Sequence, residues 1–196
     1  SGLTWAEFIE QKIMQPVGMT SSFGSYNRAK AANVSNIIDA HAPVDGKVVA
    51  VPHDWNETGN AAGGIISNIK DMNIWAEFLL NGFTTKEGVK LVSDKQIYQL
   101  WNLQIATPVA LKNPYDSNFS GYGLGWFLTD VKGHKQVYHT GGLIGTVTQF
   151  TLIPDMKLGV VVLTNQQSGA AFSAITNTIK DAYLGLEDRD WLKNFS

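Results

Sequence analysis

The sequence predicts an α/β protein built of α+β layers, an antiparallel sheet flanked by helices. Three observations carry this. Apolar residues recur at helical spacing in several segments before residue 118. Strand-like runs separated by turn residues follow from residue 119 onward. A last helical pattern closes the order over 169–184.

Thr4 and Glu7 have the spacing of a capping box, and Trp5, Phe8, Ile9 and Ile13 fall on one helical face. A helix is expected over 4–15, stopped by Pro16 and turned by Gly18. Residues 20–64 read as mostly irregular, and such a stretch is usually functional or packed over a site. Within it, Asp45-Gly46 between apolar runs predicts a small hairpin over 41–52. The run Gly59-Asn-Ala-Ala-Gly-Gly64 permits close backbone approach and positive φ.

Met72, Trp75, Phe78 and Leu79 share a side of a second helix over 69–81, with Gly82 as its stop. Ser93 and Gln96 cap a shorter third helix carrying Ile97, Leu100 and Trp101. Strands are expected over 122–128, 136–141, 146–153 and 158–164, the last two joined by the turn Pro154-Asp-Met-Lys157. The run Leu158-Gly-Val-Val-Val-Leu163 lacks alternation, so burial on both faces is expected. One face would be covered by the final helix through Phe172, Ile175, Ile179 and Tyr183, with Gly185 as C-cap. The chain thus divides into a helical and loop region to 118, a sheet-plus-helix region over 119–185 and a tail over 186–196.

Composition excludes several classes of function. A length of 196 residues suffices for one buried core. With 44% hydrophobic residues and 6 Trp, 6 Tyr and 9 Phe, disorder is excluded. A net charge of -2 without a basic block argues against a nucleic-acid partner. No apolar run is long enough for a membrane span, and the first residues lack the pattern of a signal peptide. Zero cysteines rule out disulfides, Cys-ligated zinc and thiol catalysis. The start at Ser1-Gly2-Leu3, without Met, fits a processed or trimmed chain or a piece of a longer one.

Among the histidines, His134 and His139 are five apart on one strand and face opposite ways, a poor metal pair. His41 and His53, with Asp54 beside the latter, read as surface or loop residues. No metal and no cofactor is expected. His139-Thr140-Gly141-Gly142 differs: a polar pair at a strand end, followed by glycines that admit a substrate to the backbone. A backbone N–H there can form half of an oxyanion hole, although Gly-Gly after a strand is also an ordinary turn.

The run from His139-Thr-Gly-Gly-Leu-Ile-Gly to Val-Val-Val-Leu-Thr-Asn165 resembles the C-terminal half of the serine β-lactamase and penicillin-binding-protein family. The branch it resembles includes class C β-lactamases, D,D-peptidases and related esterases. Ile13-Met-Gln-Pro-Val-Gly-Met19, Gly59–Met72 and Gly121-Tyr-Gly-Leu-Gly-Trp126 resemble further segments of that family, in its order. The resemblance implies a β-lactamase/transpeptidase-like fold whose N-terminal part is missing here. It places His139 at the Lys position of the Lys-Thr-Gly or His-x-Gly motif, in proton transfer or substrate polarisation. Thr140 and Gly141 would bind substrate, the Gly142 N–H would be an oxyanion donor, and Asn165 would be a polar residue of the cleft. His in place of Lys points away from strong β-lactam hydrolysis and toward peptidase or esterase activity.

The family mechanism needs a Ser-x-x-Lys nucleophile and a Tyr-x-Asn or Ser-x-Asn motif, both expected before the first helix. Two lookalikes are present. Ser67-Asn68-Ile69-Lys70 reads as a helix cap, with Asn68 capping and Asp71 in the first turn, and Ser25-Tyr26-Asn27 reads as a loop. No nucleophile is therefore assigned in this chain. The expectation is a fragment of a serine acyl-hydrolase, inactive alone, acting in its parent on a peptide, β-lactam or ester; the alternative is a non-catalytic binding or structural module. By resemblance the partner is a small-molecule or cell-wall peptide substrate and the location periplasmic or extracellular. The family's sheet also takes N-terminal strands, so self-association through an open sheet edge is expected. Leu184–Trp191 resembles a lead into a further domain, which implies a parent extended at both ends.

Overall fold

Helix caps set the first elements. The computed structural model describes residues 1–52 and 56–195, so the His53–Asp54 reading lies outside the described residues. The Thr4 hydroxyl accepts from the Glu7 N–H at 3.3 Å, and the Glu7 carboxylate accepts from the Thr4 hydroxyl and N–H at 2.7 and 2.9 Å. The hydroxyl bond, then the backbone bond, lowers the Glu7 pKa. Helical backbone continues through Trp5–Ile9, Glu10–Met14 and Gln15–Val17, the middle stretch a π-helix. It passes the expected stop at Pro16 and ends at Gly18, φ 93°. The wider π turn lies ahead of a proline ring that would otherwise press on the carbonyl four residues back.

The Ser25-Tyr26-Asn27 segment is a helix start and not a loop. Buried Ser25 caps Tyr26–Ala31 by accepting from the Arg28 N–H at 3.2 Å. The Arg28 guanidinium and the Gly24 N–H both bond the Glu10 carboxylate. The hairpin is as expected: β1 (Ala40–Val44) pairs antiparallel with β2 (Lys47–Val51) across Asp45 and Gly46, at φ 48° and 74°. The glycine run at 59–64 does not use positive φ, since Gly59 and Gly64 sit at -88° and -86°. Crowding explains Gly64, where a Cβ would lie 2.2 Å from Asn60 Oδ1. Helix Ile69–Leu80 is capped by the Asn68 side chain on the Lys70 and Asp71 N–H groups. Helix Asp94–Leu100 has the expected capping box.

Six strands form one sheet in the order β3-β4-β5-β6-β7-β8. They are β3 (Ile105–Ala106), β4 (Ser120–Tyr122), β5 (Phe127–Val131), β6 (His134–Leu143), β7 (Thr146–Ile153) and β8 (Leu158–Thr164). The strand expected over 122–128 is interrupted at 123–126 by the turn of the β4–β5 hairpin, with Tyr122 ending β4 and Phe127 and Leu128 opening β5. The Gly123 N–H donates to the Trp126 carbonyl at 2.7 Å, and Gly125 takes φ 80°. Strand β8 is not buried on both faces either: Leu158, Val160 and Val162 are buried while Leu163 is 39% exposed. On its other face Gly159 is exposed, although a Cβ there would come within 3.2 Å of Ala76 and 3.5 Å of Leu80.

The chain divides into two compact units. The first holds 1–75, 141–148 and 163–169; the second holds 76–140, 149–162 and the chain from 170 onward. The core of the second unit gathers Val131, Ile153, Leu158, Val160, Val162, Ala174 and Trp191, with Phe172 and Ile179 packed on it. Helix Gly169–Tyr183 faces this core differently from the expected stripe. Ile175 and Tyr183 are 46% and 63% exposed, and Thr176, Lys180 and Asp181 are buried. Polar partners decide this face. Asp181 accepts from Arg189 at 3.0 Å and from the Trp191 indole at 2.8 Å. Lys180 donates to Gln136 at 3.1 Å and lies 4.1 Å from the Tyr115 ring centroid. The segment after Leu184, expected as a tail, therefore docks on the core through buried Trp191. Among the described residues no helix is long and apolar enough to cross a membrane.

Burial lowers the Lys180 pKa to about 8, with Asp181 opposing and Arg189 assisting. Unfolded, the same amine titrates near 10.4. Folding thus expels a proton between these values, so the penalty is full below about pH 8 and fades as pH rises toward 10. Urea denaturation at roughly pH 7 and roughly pH 10 should show wild type gaining about 1–3 kcal/mol relative to Lys180→Met. Parallel pH curves for the two proteins would refute this.

Candidate active site

Strand β6 emerges from the core as it runs. Val137 is fully buried, Tyr138 and His139 are half-buried, and Thr140, Gly141 and Gly142 are exposed. Four of the five residues singled out by sequence are thus consecutive on the emerging end of one strand. His139 and Thr140 belong to the second unit; Gly141, Gly142 and Asn165 belong to the first.

In the second unit, His139 Nδ1 lies 2.6 Å from the Thr140 carbonyl oxygen, and Nε2 lies 3.0 Å from the Tyr122 hydroxyl. The Phe127 ring packs against both, with centroids 4.7 Å from Tyr122 and 5.4 Å from His139. Register brings these groups together: Tyr122 pairs with Phe127 across β4–β5, and Phe127 pairs with Tyr138 across β5–β6. Sequence reasoning missed Tyr122, although it sits in the quoted Gly121–Trp126 segment. Reading that segment as one strand hid the hairpin that folds Tyr122 back toward β6. His134, earlier on β6, has its own partner in Asp155 at 2.6 Å.

In the first unit, the two site glycines have different reasons. A Cβ on Gly141 would lie 2.5 Å from Thr148 Oγ1, whereas a Cβ on Gly142 would meet nothing within 4 Å. The backbone beside Gly142 is therefore open to an incoming group. Gly145, in the β6–β7 turn, takes φ 79°, and a Cβ there would lie within 2.8 Å of Val51, His41 and Ala40. The Gly145 carbonyl accepts the His41 N–H at 2.9 Å, and the His41 carbonyl accepts the Gln167 N–H at 3.0 Å. The His41 Nδ1–H donates to the Asn165 carbonyl at 3.1 Å. His41 is accordingly a strand residue cross-linking β1, the turn and the segment after β8, and not a loose surface or loop histidine. Asn165 is exposed just past β8, on backbone held by this clamp.

The Ser-x-x-Lys lookalike serves local structure. Ser67 precedes helix Ile69–Leu80, and its hydroxyl lies 2.8 Å from that of Ser22, which donates to buried Asp71 at 2.7 Å. Asp71 also accepts the Ser21 N–H at 2.8 Å. In the other lookalike, the Ser25 hydroxyl is engaged as a cap. Among the described residues no group of three or more His, Asp or Glu side chains could hold a metal ion.

A family model described as Beta-lactamase matches residues 1–184. The unguisins hydrolase ungD′ of Aspergillus campestris is 28% identical over 167 residues, which are 81% of this chain and 28% of that protein. The octameric penicillin-binding protein homologue from Pyrococcus abyssi superposes with a TM-score of 0.77 at 24% identity, covering 95% of this chain and 39% of that one. A D-stereospecific amidohydrolase from Streptomyces sp. gives a TM-score of 0.62 at 17% identity, covering 84% and 45%. The two structural likenesses show a shared fold, mixed α/β with antiparallel sheets flanked by helices. The chain spans less than half the length of each of these three relatives.

The glycine geometry yields a paired test. Gly145→Ala puts a side chain into the left-handed region and into a filled space, so a loss of about 2 kcal/mol or more is expected. Gly142→Ala enters open space and should stay within about 1 kcal/mol of wild type. Chemical denaturation of both variants checks the ranking.

Proposed function

The chain belongs to the Beta-lactamase family, and from that premise we propose that it carries the oxyanion and substrate-binding side of a serine acyl-hydrolase active site. The reading rests on one observation: His139, Thr140, Gly141 and Gly142 occupy the emerging end of β6, with the backbone at Gly142 open. His139 assists proton transfer or polarises the substrate. The Thr140 hydroxyl and the Gly141 backbone hold the substrate, and Asn165 adds a polar contact. The Gly142 N–H donates to the oxyanion that develops when a serine attacks an acyl carbon, the place where such a donor stabilises the transition state most. No step in this scheme calls for a cofactor.

The attacking serine, its lysine and the Tyr-x-Asn motif are supplied from outside this chain, which alone is inactive. The engagement of Ser67 and Ser25 in local hydrogen bonds supports this, as does the greater length of the matched relatives. One of those relatives is named a hydrolase, and His139 in place of Lys favours a peptide or ester substrate over strong β-lactam turnover. A periplasmic or extracellular location is proposed on the same family grounds.

Two experiments test this. The chain, incubated with a chromogenic β-lactam and a nitrophenyl ester, should show no turnover above background. Turnover abolished by Ser67→Ala would overturn the reading and make Ser67 the nucleophile. The full-length parent, treated with fluorescent penicillin or fluorophosphonate, should be labelled on a Ser-x-x-Lys serine outside residues 1–196. No labelling at all would favour a non-catalytic binding module.

Strand β8 ends the sheet order, and a terminal strand offers unpaired backbone groups. We propose that this edge supports self-association, a reading to which the octameric Pyrococcus abyssi homologue lends support. Light scattering across a concentration series should show mass rising above the monomer. A strict monomer at the highest concentration would refute it.

A further inference from the structure

We infer that Tyr122 is a positioning residue for His139, holding the imidazole, together with the Thr140 carbonyl, with its proton on Nδ1. The inference rests on the proposed role of His139 in proton transfer and adds to it a residue and a hydrogen-bond direction. The Thr140 carbonyl oxygen can only accept, so the Nδ1 atom 2.6 Å away carries the hydrogen. A neutral imidazole has one N–H, which leaves Nε2 with a bare lone pair. The Tyr122 hydroxyl, 3.0 Å from that lone pair, donates into it. Both ends of the ring are thus engaged, and the hydroxyl is committed to one direction.

Packing holds this arrangement. Phe127 meets the Tyr122 ring edge-on at 4.7 Å and the His139 ring at 5.4 Å, so neither ring turns without displacing it. Two hairpin registers, Tyr122↔Phe127 and Phe127↔Tyr138, set the separation of the partners. The bare Nε2 is the atom able to take a proton during catalysis. When it does, the Tyr122 O–H bond breaks as the new N–H bond forms, the ring becomes cationic, and the Tyr122 oxygen takes a proton in turn from the attacking serine hydroxyl, whose O–H electron pair stays on the serine oxygen. Nε2 then donates, the Tyr122 oxygen accepts, and the new hydroxyl hydrogen points away from the ring toward the serine oxygen. Tyr122 thereby couples proton uptake by His139 to the direction of its own O–H. A purely structural Tyr122 would supply ring packing without this coupling.

Nitrogen NMR of the chain with labelled imidazoles tests the inference without turnover. His139 in the wild type should show one neutral tautomer, with the proton on Nδ1. Tyr122→Phe keeps the ring against Phe127 and removes only the hydroxyl. It should shift the His139 tautomer ratio several-fold toward Nε2–H, while the His134 signals, reporting the separate contact to Asp155, stay in place. A wild-type His139 protonated on Nε2 overturns the inference outright, whatever the variant does. An unchanged tautomer ratio in Tyr122→Phe also overturns it. A failure of the parent to react with acylating probes would instead strike at the proposed function and leave the tautomer result standing.

Discussion

Main-chain pairing on both sides of β6 is the constraint on which the site depends. The strand lies between β5 and β7 in the sheet and runs ten residues, from His134 to Leu143. Its middle is anchored by fully buried Val137. A slip of one residue would send every side chain to the opposite face. His139 would then lose Tyr122 and Phe127, and Gly141 would no longer meet Thr148. The register therefore does more than stabilise the sheet: it selects which groups stand at the strand's exposed end.

Each unit supports its own part of that end by a different device. In the second unit the Tyr122 and Phe127 rings pack against His139, with Tyr138 stacked on Phe127. In the first unit backbone bonds dominate, with His41 tying β1 to Gly145, Asn165 and Gln167. Gly145 is required there because the approach of β1 leaves no room for a Cβ. Buried polar groups act similarly farther away. Asp181 collects Arg189 and Trp191 and Lys180 donates to Gln136, and those bonds turn the last helix so that Lys180 and Asp181 face inward. Burying polar groups is tolerable only when they are paired, so their partners dictate the helix face more firmly than Ile175 or Tyr183 could.

Much of the fold was legible in the residues, and the legible parts share a cause. The capping boxes at Thr4 and Ser93, the Asn68 cap and the Asp45-Gly46 turn all close hydrogen bonds over two to four residues. Such bonds are encoded locally, so spacing reveals them. The candidate site was legible as a segment, His139 to Gly142, through its residue types and its family resemblance. Tyr122 was not, because its relation to His139 spans 17 positions and passes through two hairpins. The tail was misread for a related reason: Trp191 looks like any linker aromatic until Asp181 offers it an acceptor.

Sequence alone thus determined the family, the order of layers, the helix starts at Thr4, Asn68 and Ser93 and the His-Thr-Gly-Gly segment, since local bonding and motif spacing carry that information. Tertiary structure decided the rest: the turn at Gly123–Trp126 where a strand was expected, the alternating burial of β8, the inward face of the final helix and the partners of both His41 and His139. In each case the outcome hangs on a group far along the chain. Distant partners decide which face is buried and which nitrogen carries a proton, and no local pattern specifies them.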